Sequence, residues 1–135
     1  MSLVRGSRLP DRDLELAAET LDAADYLLKG GYYNDAVSRA YYAMFYAARA
    51  LLASRDLHPK GHKGLILQFG LEFVKRGFIE ESYGRALSHA KERRETVDYN
   101  IDAAMSPDEA WIIVSDARDF LDRIDRAFDE MGFEN

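Results

Sequence analysis

Between Tyr33 and Leu52 the chain reads Tyr-Asn-Asp-Ala-Val-Ser-Arg-Ala-Tyr-Tyr-Ala-Met-Phe-Tyr-Ala-Ala-Arg-Ala-Leu-Leu, apolar almost all the way round a helix. Val37, Ala40, Tyr41, Met44, Ala48 and Leu51 recur at three- and four-residue spacing, which defines one buried face. Tyr42, Phe45, Tyr46 and Leu52 carry apolar surface onto further faces, so this helix has to be covered on several sides. Arg39 and Arg49 interrupt the run and need partners wherever they are shielded from water. The pattern predicts a central bundle helix ending near Arg55.

Four more helices follow from the same periodicity. The first is expected from about Asp11 to Lys29, with Leu14, Ala17, Ala18, Leu21, Ala24 and Leu28 on one stripe and Gly30-Gly31 as its stop. Asp56 to Gly64, containing Pro59 and two glycines, reads as an irregular loop. A short helix from Leu65 to Arg76 carries Leu65, Ile66, Phe69 and Phe73; Gly70 within it costs about 1 kcal/mol against alanine. A fourth helix is expected from Glu80 to Tyr99. The fifth opens on Ser106-Pro107-Asp108-Glu109, a capping box with proline in the first turn, and should run to Met131 before Gly132. Alternating strand patterns are absent. The fold class is therefore all-α, an up-and-down bundle of four to five helices spanning residues 11–132, preceded by a flexible N-terminus at residues 1–10.

Composition narrows the chemistry. With 135 residues the chain is long enough for one core but not two. Cysteine is absent, which excludes disulfides, thiolate metal sites and a cysteine nucleophile. Charges interrupt every apolar stretch well short of a membrane span and no signal peptide is visible, so no membrane partner and a cytoplasmic location are expected. His58 and His62 are four apart, but Pro59 and Gly61 between them predict a loop, and no metal site is expected there. No phosphate-binding glycine loop is found, and no cofactor is expected.

The net charge of -6 argues against a protein that coats nucleic acid nonspecifically. Charge is uneven, however: residues 55–94 carry a balance of +4 and the remainder -10. His58, His62 and His89 all fall in the basic stretch. A local anion site is one implication; a solvated mixed surface is the simpler alternative. In the fourth helix Leu87, Ala90, Arg94 and Val97 share a stripe, which puts an arginine at an apolar register position. Asp98 and Tyr99 follow four and five residues later. They form either a polar cluster facing a groove or an i,i+4 ion pair worth about 0.2–0.5 kcal/mol with Tyr99 beside it. Lys60, His62 and Lys63 read as a basic loop near Arg94. The tyrosines at 32, 33, 41, 42 and 46 read as core and interface. The acidic last helix reads as a solvated face, with Arg118, Arg123 and Arg126 interleaved.

Taken together, Tyr33-Asn-Asp-Ala-Val-Ser-Arg-Ala-Tyr-Tyr-Ala-Met-Phe, Gly61-His-Lys-Gly64, Phe73-Val-Lys-Arg-Gly77 and Arg94-Glu-Thr-Val-Asp-Tyr99 resemble the HEPN superfamily, in particular its small stand-alone prokaryotic members. The resemblance spans the first helix to the last. It implies an up-and-down helical bundle that dimerises and pairs with a small nucleotidyltransferase, often as a toxin–antitoxin system. Active members are metal-independent ribonucleases with an arginine, an adjacent polar residue and a histidine after four to six intervening positions. Arg94 matches the arginine, Glu95 is the adjacent residue, and Tyr99 stands where the histidine is expected. Imidazole titrates near neutrality and shuttles protons; a phenol of pKa about 10 does so poorly. The resemblance therefore implies an RNA- or nucleotide-binding module in which Arg94, Asp98, Tyr99, His62 and Lys63 line the site, with catalysis weak or lost. In some related systems the partner attaches AMP to a tyrosine near this motif, and Tyr99 is the candidate acceptor. An active ribonuclease using Arg94 with Tyr99 or His62, and a non-catalytic dimeric scaffold, are the alternatives.

Overall fold

The computed structural model describes residues 9–100 and 102–132; the flexible N-terminus expected for residues 1–10 falls, through residue 8, outside the described residues. The chain forms α1 (Leu9–Lys29), α2 (Tyr33–Ala53), α3 (Gly61–Phe69), α4 (Glu81–Tyr99) and α5 (Pro107–Glu130), with a π-helical turn, Gly70–Val74, continuing α3. The fold is all-α, as the periodicity predicts. Helix α2 lies at the centre and packs against α1, α3, α4 and α5, whereas α1 and α3 do not meet. Twelve of its residues are buried, among them Tyr41, Met44, Leu51 and Leu52.

Local chemistry sets the corners. Gly31 closes α1 at φ 85°, with Tyr32 N–H bonded to Leu27 O and Gly31 N–H to Leu28 O, the paired bonds that satisfy terminal carbonyls. The same pair closes α2, but there the left-handed residue is Asp56 at φ 60°, a short polar side chain that tolerates this conformation. At the start of α5, Ser106 accepts a hydrogen bond from Glu109 N–H at 3.1 Å, the cap expected there.

Two sequence expectations need correction. The expected loop at 56–64 is shorter: Gly61-His-Lys-Gly64 already forms the first turn of α3. Pro59 and Gly61 precede or open the helix, where neither an amide donor nor a side chain is required, so they do not break it. The helix then ends in its α form at Phe69, and from Gly70 the ladder widens, Lys75 N–H bonding Gly70 O at 2.8 Å. Phe69 and Phe73 still reach the core, where Phe69 packs on Phe120 with centroids 5.5 Å apart. The second correction is Arg123, which is 5% exposed rather than part of a solvated face. Its guanidinium donates to Glu80 at 2.8 Å, Glu130 at 3.2 Å and the Phe78 carbonyl at 2.8 Å, tying α5 to the entry of α4.

The α4–α5 connection is held by Asn34 in the first turn of α2. Its Nδ2 donates to Ala103 O at 3.2 Å and its Oδ1 accepts from Met105 N–H at 2.8 Å. Met105 is buried, so losing this acceptor strands an amide. Asn34→Ala is expected to lower unfolding stability by about 2 kcal/mol, against about 1 kcal/mol for Ser106→Ala. Chemical denaturation followed by circular dichroism checks the order; a smaller loss at Asn34 would mean that the connection is held elsewhere.

Candidate functional site

Helix α2 is left partly open along one stripe, Ser38, Tyr42, Tyr46 and Arg49, at the three- and four-residue spacing of a single face. Tyr42 and Tyr46 face each other with centroids 6.1 Å apart. The Arg49 guanidinium lies 5.2 Å from the Tyr46 ring and 5.5 Å from Phe45. Asp13 of α1 holds it with two bonds, Nε to Oδ2 at 3.0 Å and Nη2 to Oδ1 at 2.8 Å. The partner that a shielded Arg49 requires is thus supplied, and Arg39 is exposed to water instead.

At the other side of this stripe sits Arg94 of α4, its side chain only 12% exposed. Nη1 donates to Asp98 Oδ2 at 2.9 Å and to the Tyr42 hydroxyl at 3.3 Å. The guanidinium carbon stands 5.2 Å from the Tyr41 centroid and 5.3 Å from Tyr42. The i,i+4 ion pair is therefore present, but it is the smaller term. An exposed pair of this kind is worth a few tenths of a kcal/mol, whereas a desolvated cation against aromatic faces reaches about 2 kcal/mol. Nε is buried without a hydrogen-bond partner, and among the described residues Nη2 has no partner either. The packing thus leaves one donor of the guanidinium, Nη2, for a further acceptor.

His62, in the first turn of α3, joins the same aromatic group. Its Nδ1 is 2.7 Å from the Tyr41 hydroxyl. The ring stacks on Phe45 at 4.3 Å and 25°, lies over Tyr41 at 5.6 Å, and meets Tyr42 edge-on at 5.7 Å. Burial, and then the positive charges of Arg94 and Lys91, hold the imidazole below its ordinary 6.5, with Glu95 opposing. Burial pushes the Tyr41 phenol well above its ordinary value of 10. In the sequence His62 reads as a loop residue and Tyr41 as core. What that reading misses is their bond, signalled by a tyrosine at a fully buried register position, whose hydroxyl must find a partner.

The remaining expected site residues are distributed more loosely. Asp98 is exposed and touches Arg94; Tyr99, the last residue of α4, is 82% exposed and makes no hydrogen bond to either. Lys63 is exposed and borders a cleft of about 230 Å³ with Ile66, Ser88, Lys91, Glu92 and Glu95. Lys91 and Glu95 pair with each other there, and this bond holds the Glu95 carboxyl below its usual range. A larger cleft of about 750 Å³ between α3, the π turn and α4 shares Ile66, Ser88 and Glu92 and includes His89 but not Arg94. His58 pairs with Asp56 at 3.1 Å rather than with His62. The structure thus brings Arg94, Asp98 and His62 to one aromatic platform and leaves Tyr99 and Lys63 at its margin.

An all-α bundle that seats a largely withdrawn arginine on two tyrosines beside a half-buried histidine defines a small helical module with a candidate polar site. The chain belongs to the HEPN domain family, whose family model matches residues 12–127. It is 45% identical over 118 residues to Putative toxin MJ0605 of Methanocaldococcus jannaschii, covering 87% of each chain. It is 34% identical over 115 residues to a UPF0332 protein of Thermotoga maritima, covering 85% of this chain and 87% of that one. Putative toxin MJ0142 of Methanocaldococcus jannaschii is 31% identical over 120 residues, or 89% of this chain and 82% of that one. Among the described residues no helix is long and apolar enough to cross a membrane.

Because the folded imidazole sits below 6.5, the unfolded chain binds the proton more readily. Its contribution to stability is complete above the unfolded value and is lost as pH falls from there through the folded value. Wild type is expected to lose more stability than His62→Gln between about pH 7 and about pH 5. Denaturation midpoints across that range check it; parallel curves would remove His62 from the titration.

Proposed function

We propose that this HEPN protein is an RNA- or nucleotide-binding module acting with a partner, a toxin–antitoxin or nucleotidyltransferase pair, and that its own catalysis is weak or lost. The observation that carries this is Arg94: an arginine largely withdrawn from water, stacked on Tyr41 and Tyr42, with Nη2 unpartnered among the described residues. A guanidinium so fixed offers a preorganised donor to a phosphate oxygen. Tyr99, where the ribonuclease motif carries its histidine, is a phenol exposed to water. The names of two relatives as Putative toxins support the partnered role. Cytoplasmic placement accords with the lack of a membrane-spanning helix among the described residues.

One observation favours the active ribonuclease as the alternative: His62 lies against the same two tyrosines as Arg94 and puts an imidazole where Tyr99 cannot. A metal-free assay on mixed tRNA and mRNA, run beside fluorescence anisotropy on a single-stranded RNA oligonucleotide, separates the two. Wild type is expected to bind without efficient cleavage, and Arg94→Ala to weaken binding about tenfold or more while keeping its helix content. Cleavage that disappears in Arg94→Ala would replace this reading with the nuclease. Unchanged affinity with a lower melting temperature would make Arg94 a structural strut of a scaffold.

The half-open stripe of Tyr42, Tyr46 and Arg49 also supports a homodimer, since tyrosines suit interfaces with an apolar ring and a wet tip. Light scattering at micromolar concentration should give twice the chain mass of 15.4 kDa; a monomeric mass would refute the dimer.

A further inference from the structure

The bond between Tyr41 and His62 has a direction, and that direction decides what His62 can do. Tyr41 is fully buried, and among the described residues its hydroxyl has one hydrogen-bond partner, Nδ1 of His62 at 2.7 Å. A neutral imidazole carries its proton on one nitrogen and accepts through the other. Were the proton on Nδ1, the imidazole would donate to the phenol oxygen, and the buried O–H of Tyr41 would be left without an acceptor. Leaving a buried donor unsatisfied is costly. The imidazolium would strand the same hydroxyl and add a positive charge beside Arg94, Lys91 and Arg49, with only Glu95, itself bonded to Lys91, in opposition. One arrangement satisfies every group: Tyr41 donates to Nδ1, and the proton of His62 resides on Nε2. Among the described residues Nε2 has no protein partner, and His62 is half-buried, so this N–H is left for water or a ligand. The ring cannot easily turn away from the assignment, because Phe45 stacks on it at 4.3 Å.

We propose that Tyr41 is a positioning residue that fixes His62 as the neutral Nε2–H tautomer, so that His62 and the free Nη2 of Arg94 form a two-donor site for the oxygens of an RNA phosphodiester. The proposal rests on the nucleic-acid reading above and gives it a ligand group and a second contact. It also separates binding from base catalysis. With its proton on Nε2, the outward nitrogen has no lone pair to accept a proton from a ribose hydroxyl. His62 then grips a phosphate and does not activate a nucleophile. Tyr41 is enclosed by the core and touches no ligand itself; its ring also seats Arg94, and phenylalanine at this position keeps the ring while removing only the hydroxyl that orients His62.

The test is nitrogen-15 NMR of the full chain labelled at histidine, with His62 assigned by its loss in His62→Gln, and titration with a uridine dinucleoside monophosphate. In the free wild type, the expected pattern is a protonated Nε2 and an unprotonated Nδ1. The dinucleotide should shift Nε2. Tyr41→Phe should give averaged nitrogen signals from exchanging tautomers and about tenfold weaker binding. His62→Ala should weaken binding about tenfold, whereas His62→Gln, which keeps an amide donor at the same reach, should stay within about threefold of wild type. A proton on Nδ1 in the free protein overturns the proposal, as does a His62→Gln variant as weak as His62→Ala. Binding that depends on Arg94 but leaves Nε2 unmoved removes His62 while leaving the nucleic-acid reading intact. No binding by wild type at all, whatever the tautomer, sinks that reading and the ligand half of this proposal together.

Discussion

Helix α2 carries apolar side chains round most of its circumference, and their removal from water is the constraint that organises everything else. Tyr41, Met44, Leu51 and Leu52 are fully buried only because four other helices are wrapped round the same segment. Burying side chains of this size contributes about 1.5–3 kcal/mol each, so the surrounding helices are placed by α2 rather than by their own weaker stripes. Helix α4 is the clearest case: its buried residues are only Leu87 and Ala90, too few to dictate an orientation. Its docking on α2 nevertheless seats Arg94 against Tyr41 and Tyr42. The polar site is a by-product of incomplete enclosure. Because α1 and α3 do not meet, the stripe from Ser38 to Arg49 stays half open, and cations and rings collect along it.

That origin explains which parts were legible in the sequence. Periodicity located the helices because each buries a face, and Ser106-Pro107 announced α5 because a cap is local chemistry. Arg94 stood out as a charge at an apolar register position, and it is indeed withdrawn from water there. His62 was harder. Its neighbours Pro59 and Gly61 look like breakers, yet both sit where a helix begins and tolerates them. The contact that matters joins residues 21 apart in sequence, Tyr41 and His62, and no periodicity encodes a pairing between helices. Arg123 misled for a different reason: three acceptors, two carboxylates and a carbonyl, make a buried guanidinium tolerable, and only the fold gathers them.

Charge distribution fits a single localised site better than an extended one. The chain as a whole carries -6, so an approaching polyanion meets repulsion over most of the surface. Residues 55–94 reverse the sign locally, and α3 and α4 concentrate Lys63, Lys91 and Arg94 within that stretch. Part of this charge is already spent, Lys91 on Glu95 and one edge of Arg94 on Asp98. What the site would offer a ligand on the proposed reading is geometry more than charge: a guanidinium stacked on its tyrosines, and an imidazole clamped by Phe45 and Tyr41.

Fixing those donors within the hydrophobic framework has a consequence for chemistry as well as for binding. A histidine serving as a general base near neutrality needs an outward lone pair and a pKa close to the working pH. Here the inward nitrogen is engaged by a phenol that burial keeps protonated, and burial with Arg94 disfavours a second proton on the ring. Both effects act in the same direction, toward a neutral ring that donates outward. Neither depends on Tyr99, which stands apart in water. On the reading proposed above, the same packing that holds the bundle together biases this site toward holding a phosphate and away from cutting beside it.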